Sequence, residues 1–598
     1  MNYLGITIDL KRDESLTEFA IALLKDYYCR PSETSPQMAY ARASVAYCGG
    51  DMALAQRLYD YVSKGWFMFS SPILSNAPLP GEDKKKLRGL PISCFLAYVP
   101  DSLEGLIDHS SEIRWLSVKG GGVAGHWSAI RSVSDIAPGP MPFLHTIDAD
   151  MTAYRQGKTR KGSYAAYMDV SHPDIIEFIN MRVPTGDANR KCLNLHHAVN
   201  IPDAFMNLVD AGGTWDLKDP NDGTVRETLQ ARKLWELLLE TRYRTGEPYL
   251  NFIDTSNRFL NPELKAAGLV IRGSNLCNEI HLPTDDERTA VCCLASTNVE
   301  KYDDWCTSTM VEDLIEMLDN VIEEFVLYAP DTLQRAKYSA MRSRDLGLGV
   351  MGLHAYYQKH WVAFDSAQAD RMNAVIFEHI ASRARVASFA LGLTRGPAPD
   401  LPISKFRNAH RLAIAPNANS SILNDTSPSI EPWKANAYTH RTRAGSHLVK
   451  NKYLETVLHM IGKNTPEVWA SIITHGGSIQ HLDFEAEGRE ALDTSWGDFK
   501  KIFATAIEID QHQLVRQAAE RQKYICQGQS LNLFFPAGVS RQELHQVHFV
   551  AWKLGCKGLY YLRTETNERA ENVSEKVDRK KLEDFKEDAE ACVSCQGD

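Results

Sequence analysis

Several absences narrow the function before any motif is considered. Basic residues are not in excess: Lys and Arg number 66 against 76 Asp and Glu, a formal net charge of -10 over 598 residues. The electrostatic attraction to phosphate backbones that supports DNA wrapping is therefore missing, and no nucleic-acid partner is expected. No apolar run reaches the length that crosses a bilayer, and Met1 to Leu10 lacks the basic stretch and long apolar core of a secretory signal. A cytoplasmic protein with no membrane partner is expected. The twelve cysteines lack the dense spacing of a disulfide-stapled secreted domain, and no second CxxC completes a zinc ribbon. Reduced thiols and no metal site follow, with Cys29, Cys48, Cys192, Cys306, Cys526 and Cys556 as small core or surface residues. No internal repeat or low-complexity tract is evident.

What is present is a chain of 44% apolar and 24% charged residues, able to bury a large core. Length alone suggests roughly three to five domains, a prior that barrels break. Residues 1–88 read as helical; in Asp51 to Val62, Leu54, Leu58 and Val62 recur every four residues behind a potential Asp51 N-cap. Residues 89–563 alternate short apolar runs, such as Ile92 to Val99, Leu269 to Arg272 and Arg411 to Ala415, with helical patterns such as Val311 to Val326. That alternation predicts an α/β barrel. Residues 564–598 are rich in Glu, Lys, Asp and Arg and cannot offset the entropy of ordering, so a mobile tail is expected.

The most informative stretch is SNLCNEIHL, Ser274 to Leu282, which places Asn275, Cys277 and Glu279 at alternate positions. In extended backbone these side chains share a face. An amide, a thiol and a carboxylate together form a polar cluster that ordinary packing does not call for. Two further segments, LPISCFLAYV (Leu90 to Val99) and AVCCLASTN (Ala290 to Asn298), each put a cysteine inside a strand-like apolar run.

With these three segments the sequence resembles the ribonucleotide reductase family, and the resemblance extends from about Ser70 to the tail. It implies a ten-stranded α/β barrel of two five-stranded half-barrels, with a finger loop carrying the radical cysteine. Cys277 falls on that radical position, Asn275 and Glu279 on its polar neighbours, and Cys94 and Cys292 on the reducing pair. Cys293 then points to the other face. The chemistry suits the residue types: a thiyl radical can break the ribose 3′ C–H bond reversibly, Glu279 can take the 3′ hydroxyl proton, and Cys94 can protonate the departing 2′ hydroxyl. Cys94 and Cys292 would close a disulfide that needs re-reduction. Cys592 and Cys595, a CxxC in the tail, resemble the shuttle that passes reducing equivalents from thioredoxin or glutaredoxin.

GLYYLR, Gly558 to Arg563, follows a helical pattern that opens with a capping box at Ser540 and Glu543. A regular strand would set Tyr560 and Tyr561 on opposite faces. By resemblance they relay a radical from a separate metal-containing small subunit, Tyr560 facing Cys277 and Tyr561 the subunit interface, which requires touching rings and a distorted strand. The pair favours a class I enzyme; the alternative is a single-subunit class II enzyme using adenosylcobalamin.

RLAIAPNANSSIL, Arg411 to Leu423, resembles the substrate phosphate loop, with Pro416, Asn417, Ala418, Asn419 and Ser420 as contacts. Ser71, Ser93 and Gly122 resemble positions that touch ribose and phosphate. Asp101 and Arg131, with Gln156 and Arg160 in AYRQGKTRKG, resemble a site where a deoxynucleoside triphosphate or ATP sets base specificity. An effector-dependent homodimer is implied, the substrate being a ribonucleoside di- or triphosphate and no cofactor being covalently bound. Only Met1 to Asp13 precede the first helices, so the regulatory ATP-cone of many family members is expected to be missing. A disulfide oxidoreductase using only the tail CxxC leaves Asn275, Glu279 and the tyrosines unexplained, and an inactive nucleotide-binding regulator would have lost a catalytic cysteine.

Overall fold

The computed structural model describes residues 1–87, 89–154, 162–442, 445–492 and 495–564. Helices α1 (Glu18–Tyr27), α2 (Pro36–Ala46) and α3 (Met52–Ser63) form the N-terminal layer. Asp51 caps α3 by accepting from the N–H groups of Ala53 and Leu54, and Leu54, Leu58 and Val62 are buried along one face.

The centre is a curled sheet. Strand β1 (Phe67–Phe69) lies beside the ring formed by β2 (Cys94–Tyr98), β3 (Gly122–His126), β4 (Ser163–Asp169), β5 (His196–Asn200), β6 (Tyr249–Asn251), β7 (Ala290–Asn298) and β8 (Leu346–Met351). Strands β9 (Leu533–Phe535), β10 (Gly558–Leu559) and β11 (Leu562–Thr564) complete the set used below. β2 to β6 are parallel, each paired with the next. β7 and β8 are parallel to each other, and β8 continues through parallel bridges Leu348↔Leu412 and Ile414↔Gln529. Tyr560 N donates to Leu531 O at 2.8 Å, and β9 runs parallel to β11, so β10 belongs to this second set. The two sets meet antiparallel at β2 with β7 and at β6 with β10. Two half-barrels of five segments each thus close a ten-membered ring. Segments 411–415 and 527–531 join it through isolated bridges and are not regular strands.

Alternation separates inside from outside. Phe95, Val123, Val291, Cys293 and Ala295 join the large outer core under the helices, including α6 (Met310–Tyr328). Cys94, Leu96, Cys292 and Leu294 face inward against Ile280 and Leu282. Ala124, Ala165, Ala198 and Tyr249 face inward against Leu276 and Cys277. Residues 274–282 therefore fill the barrel lumen as a finger. Among the described residues, no helix is long and apolar enough to cross a membrane.

Candidate active site

The finger departs from the strand geometry read from its sequence. Leu276 to Asn278 form a turn, Asn278 has a φ of 62°, and Leu269 to Arg272 keeps only the bridge Ile271↔Pro283. The cause is local: Asn275 Oδ1 accepts from the N–H groups of Glu279 at 2.9 Å and Ile280 at 3.1 Å, closing the loop on its own side chain. The barrel wall then clamps it. Tyr167 Oη donates to Asn275 O at 2.7 Å, Ser530 Oγ to Cys277 O at 2.7 Å, and Gly528 N to Glu279 O at 2.8 Å. At Gly122 a Cβ would stand 3.1 Å from Leu276 Cδ2, so a bare backbone there leaves room for the finger tip.

Cys94 and Cys292 are direct cross-strand partners on the β2–β7 seam. Opposed residues of an antiparallel pair have Cα atoms about 4.5–5.5 Å apart, inside the span of about 4.4–6.8 Å that a disulfide bridges. Both face the finger, and Asn275 Nδ2 lies 3.8 Å from Cys94 Sγ. Burial holds Cys292 well above its ordinary pKa, while the Gln527 amide N–H acts in the opposite direction. The ten described cysteines are thiols. Cys293 points outward into the helical core.

Glu279 is wholly buried, and that burial pushes its carboxyl from 4.5 up to about 7 against the lowering effect of the Asn275 and Ser530 hydrogen bonds. Ser530 has one hydroxyl proton for two acceptors, Cys277 O at 2.7 Å and Glu279 Oε2 at 3.1 Å. Glu279 Oε1 has no hydrogen-bond partner among the described residues.

A cavity of about 980 Å³ opens beside this centre, lined by Pro416, Ala418 and Ser421 on one side and Tyr560 and Tyr561 on another. Asn417 takes a φ of 54°, accepts from Ser296 Oγ at 2.8 Å and donates to Val350 O at 2.8 Å, pinning the 416–420 loop to β7 and β8. The short helix α7 (Ala418–Leu423) follows, containing Asn419 and Ser420. Ser93 Oγ is 4.0 Å from Cys94 Sγ, and Ser71 opens a short helix with its Oγ 2.7 Å from Tyr28 Oη.

Tyr560 and Tyr561 fall in the gap between β10 and β11. Because the strand breaks there, their rings meet, 4.2 Å between centroids, instead of taking opposite faces. Sequence reasoning missed a third ring: Tyr249 of β6 lies 4.7 Å from Tyr560 and 5.1 Å from Tyr561. Nothing in the PYLNF run marks it, since a buried strand tyrosine is common. Tyr249, Tyr560 and Cys277 share one buried cluster. Tyr561 lies under the Arg563 guanidinium, 4.0 Å from its centroid, with its Oη 3.3 Å from His196 Nδ1. Burial alone would raise the Glu247 carboxyl beside His196, but Arg182 and His196 outweigh it and hold Glu247 well below the ordinary range.

Asp101 and Arg131 form an ion pair at 2.8 Å at the surface. Helix α4 (Leu103–Val118) starts just after Asp101 and exposes Leu103, Ile107, Trp115 and Val118 along one stripe. Gln156 and Arg160 lie outside the described residues, as do Cys592 and Cys595.

Comparison with known proteins agrees with this architecture. Residues 14–82 match the family model for the ribonucleotide reductase all-alpha domain, and residues 92–406 and 402–562 that for the barrel domain. A putative ribonucleoside-diphosphate reductase large subunit of Frog virus 3 is 56% identical over 561 residues, spanning 93% of this chain and 95% of that protein. The large subunit from Invertebrate iridescent virus 3 is 40% identical over 654 residues, covering 99% and 100%. Among solved structures, the class Id ribonucleotide reductase alpha subunit of Actinobacillus ureae superposes with a TM-score of 0.81 at 32% identity, covering 94% of this chain and 99% of that one.

Proposed function

The chain belongs to the ribonucleotide reductase large-subunit family, and from that premise we propose how its side chains divide the reaction. It is a class I enzyme that reduces ribonucleoside diphosphates to deoxyribonucleotides. Tyr561, at the cavity wall, receives the oxidising equivalent from a separate small subunit and passes it through Tyr560 to Cys277. The Cys277 thiyl takes the 3′ hydrogen atom, and Glu279 takes the 3′ hydroxyl proton. Cys94 protonates the leaving 2′ hydroxyl, and Cys94 with Cys292 supplies two electrons by closing a disulfide. Asn275 holds the turn and the hydroxyls. Pro416 to Ser420, Ser71, Ser93 and Gly122 hold the phosphates and ribose.

The observation that carries this reading is the register Cys94↔Cys292 inside a barrel whose lumen is filled by the Cys277 turn. A pKa of about 7 suits Glu279 to proton removal near neutral pH. The Asp101–Arg131 pair, with Gln156 and Arg160, forms the specificity site for a deoxynucleoside triphosphate or ATP. The exposed stripe of α4 forms the homodimer contact beside it. Cys592 and Cys595 relay reduction from thioredoxin or glutaredoxin, and the enzyme works in the cytoplasm. Turnover of radiolabelled nucleotide with dithiothreitol tests the scheme: activity is expected with a metal-loaded small subunit. Activity with adenosylcobalamin alone would overturn the tyrosine relay.

A further inference from the structure

One wholly buried side chain that the scheme leaves unassigned points a polar atom at a reacting sulfur. Gln527 lies in the bend that leads into the segment bridged at Gln529, and its backbone is fixed. Its N–H donates to Leu412 O at 3.2 Å, and its carbonyl accepts from Lys557 Nζ at 2.7 Å and Gln522 Nε2 at 2.9 Å. The side-chain amide is oriented just as firmly. Nε2 stands 2.8 Å from Leu346 O, which only accepts, so nitrogen and not oxygen must face it. That contact uses one Nε2 hydrogen, and the other points to Cys292 Sγ at 3.5 Å. Gln527 Oε1 has no partner among the described residues. The bond to Leu346 O gives the amide a structural role but uses only one of its hydrogens and leaves Oε1 buried without a partner, so it does not account for the second hydrogen at Cys292 Sγ.

The two sulfurs also differ in access. Cys94 sits beside Ser93 and opposite Gly122, on the side assigned to substrate, and is 6% exposed. Cys292 is 1% exposed and backed by β8, where a Cβ on Gly347 would stand 3.0 Å from its sulfur. An incoming thiolate therefore reaches Cys94.

We infer that Gln527 is a catalytic residue of the re-reduction half-reaction, donating its amide hydrogen to Cys292 Sγ as that sulfur leaves. The reductant thiolate attacks Cys94 Sγ, the Cys94–Cys292 bond breaks, a mixed disulfide forms on Cys94, and Cys292 departs with the electron pair as a thiolate. That thiolate then takes a proton, and a second reductant thiol displaces Cys94 as a thiol. The Gln527 bond is charge-assisted only while Cys292 carries negative charge, so it assists the cleavage step. Burial keeps the resting Cys292 a neutral thiol, so the effect falls on rate more than on equilibrium.

The inference rests on Cys94 and Cys292 being the redox pair, and the two fail differently. If the pairing is wrong, peptide mapping of oxidised wild-type enzyme finds no Cys94–Cys292 disulfide. To test Gln527 itself, pre-reduced holoenzyme with its small subunit is turned over once without reductant, and the disulfide is then reopened with dithiothreitol. Gln527→Met is expected to keep the first-turnover yield and reopen about tenfold more slowly, with the reduction potential unchanged. Equal reopening rates overturn the inference, and so does loss of the first turnover in parallel with reopening, which marks a structural role. A measurement on unmodified enzyme stands even if the variant does not fold. Oxidised enzyme treated briefly with glutathione and then alkylated is expected to carry glutathione on Cys94 and the alkyl group on Cys292; the reverse labelling overturns the inference.

Discussion

Replacing Glu279 with glutamine separates what a buried base costs from what it does. The carboxyl is wholly buried, and burial raises its pKa from 4.5 to about 7. The folded state thus binds this proton more tightly than the unfolded chain does. The stabilisation is whole below the unfolded value and is lost as pH rises from about 4.5 to about 7. A rise from 4.5 to about 7, at about 1.4 kcal/mol per tenfold in proton affinity, amounts to about 3 kcal/mol. Glu279→Gln has the same shape and no charge to bury. At pH 8 the variant is expected to be more stable by up to about 3 kcal/mol, read as a Tm higher by about 2 °C for a chain of this size. At pH 5 the advantage shrinks to under about 1 kcal/mol. Deoxynucleotide formation moves the other way, falling at least about a hundredfold with the base gone. Paired thermal melts at the two pH values and a labelled-nucleotide assay decide it. A stability gain that ignores pH, or a variant retaining more than about a tenth of wild-type turnover, refutes the reasoning.

Cys292→Ser is expected to abolish multiple turnover with dithiothreitol, whereas Cys293→Ser, altering a residue on the outer face, keeps turnover within about threefold; reversed outcomes would reassign the redox pair. Tyr560→Phe and Tyr561→Phe are each expected to eliminate turnover while leaving effector binding by calorimetry unchanged, and an active Tyr560→Phe enzyme would exclude the relay. Equilibrium binding of dTTP is expected to tighten binding of a guanine substrate, and Arg131→Ala to weaken that coupling; no coupling in the wild type would reject the specificity site.

Much of this was legible because local and global preferences agree. The capping signal at Ser540 is realised in α8 (Arg541–Lys553), where Ser540 Oγ accepts from Glu543 N. The Val311 to Val326 pattern falls within α6, and alternation in AVCCLASTN puts Cys292 and Cys293 on opposite faces, with the resemblance choosing Cys292 as the inward one, as the structure has them. Residue spacing alone reads the finger as extended, whereas its geometry comes from one side chain, Asn275, bonding its own loop against a wall contributed by Tyr167, Gly528 and Ser530. Periodicity reports neither a side chain that closes its own loop nor clamps supplied from more than a hundred residues away. Tyr249 and Gln527 were silent for the same reason: each matters only through neighbours that the barrel brings together.

The seam where the half-barrels meet suits the redox pair proposed there. Within each half the strands are parallel and linked by crossovers, but β2 and β7 run antiparallel, so Cys94 and Cys292 stand directly opposed from distant points in the chain. Closing an S–S bond between such positions calls for side-chain rotation and little backbone movement. On the proposed reading, oxidation on each turnover therefore leaves the finger clamps on Cys277 and Glu279 intact, because these come from Tyr167, Gly528 and Ser530 rather than from the two cysteines. A 3.8 Å contact from Asn275 Nδ2 to Cys94 Sγ links the thiols to the finger. That weak bond can yield as the sulfur swings, so on the proposed scheme Cys277 keeps its place while Cys94 and Cys292 cycle beside it.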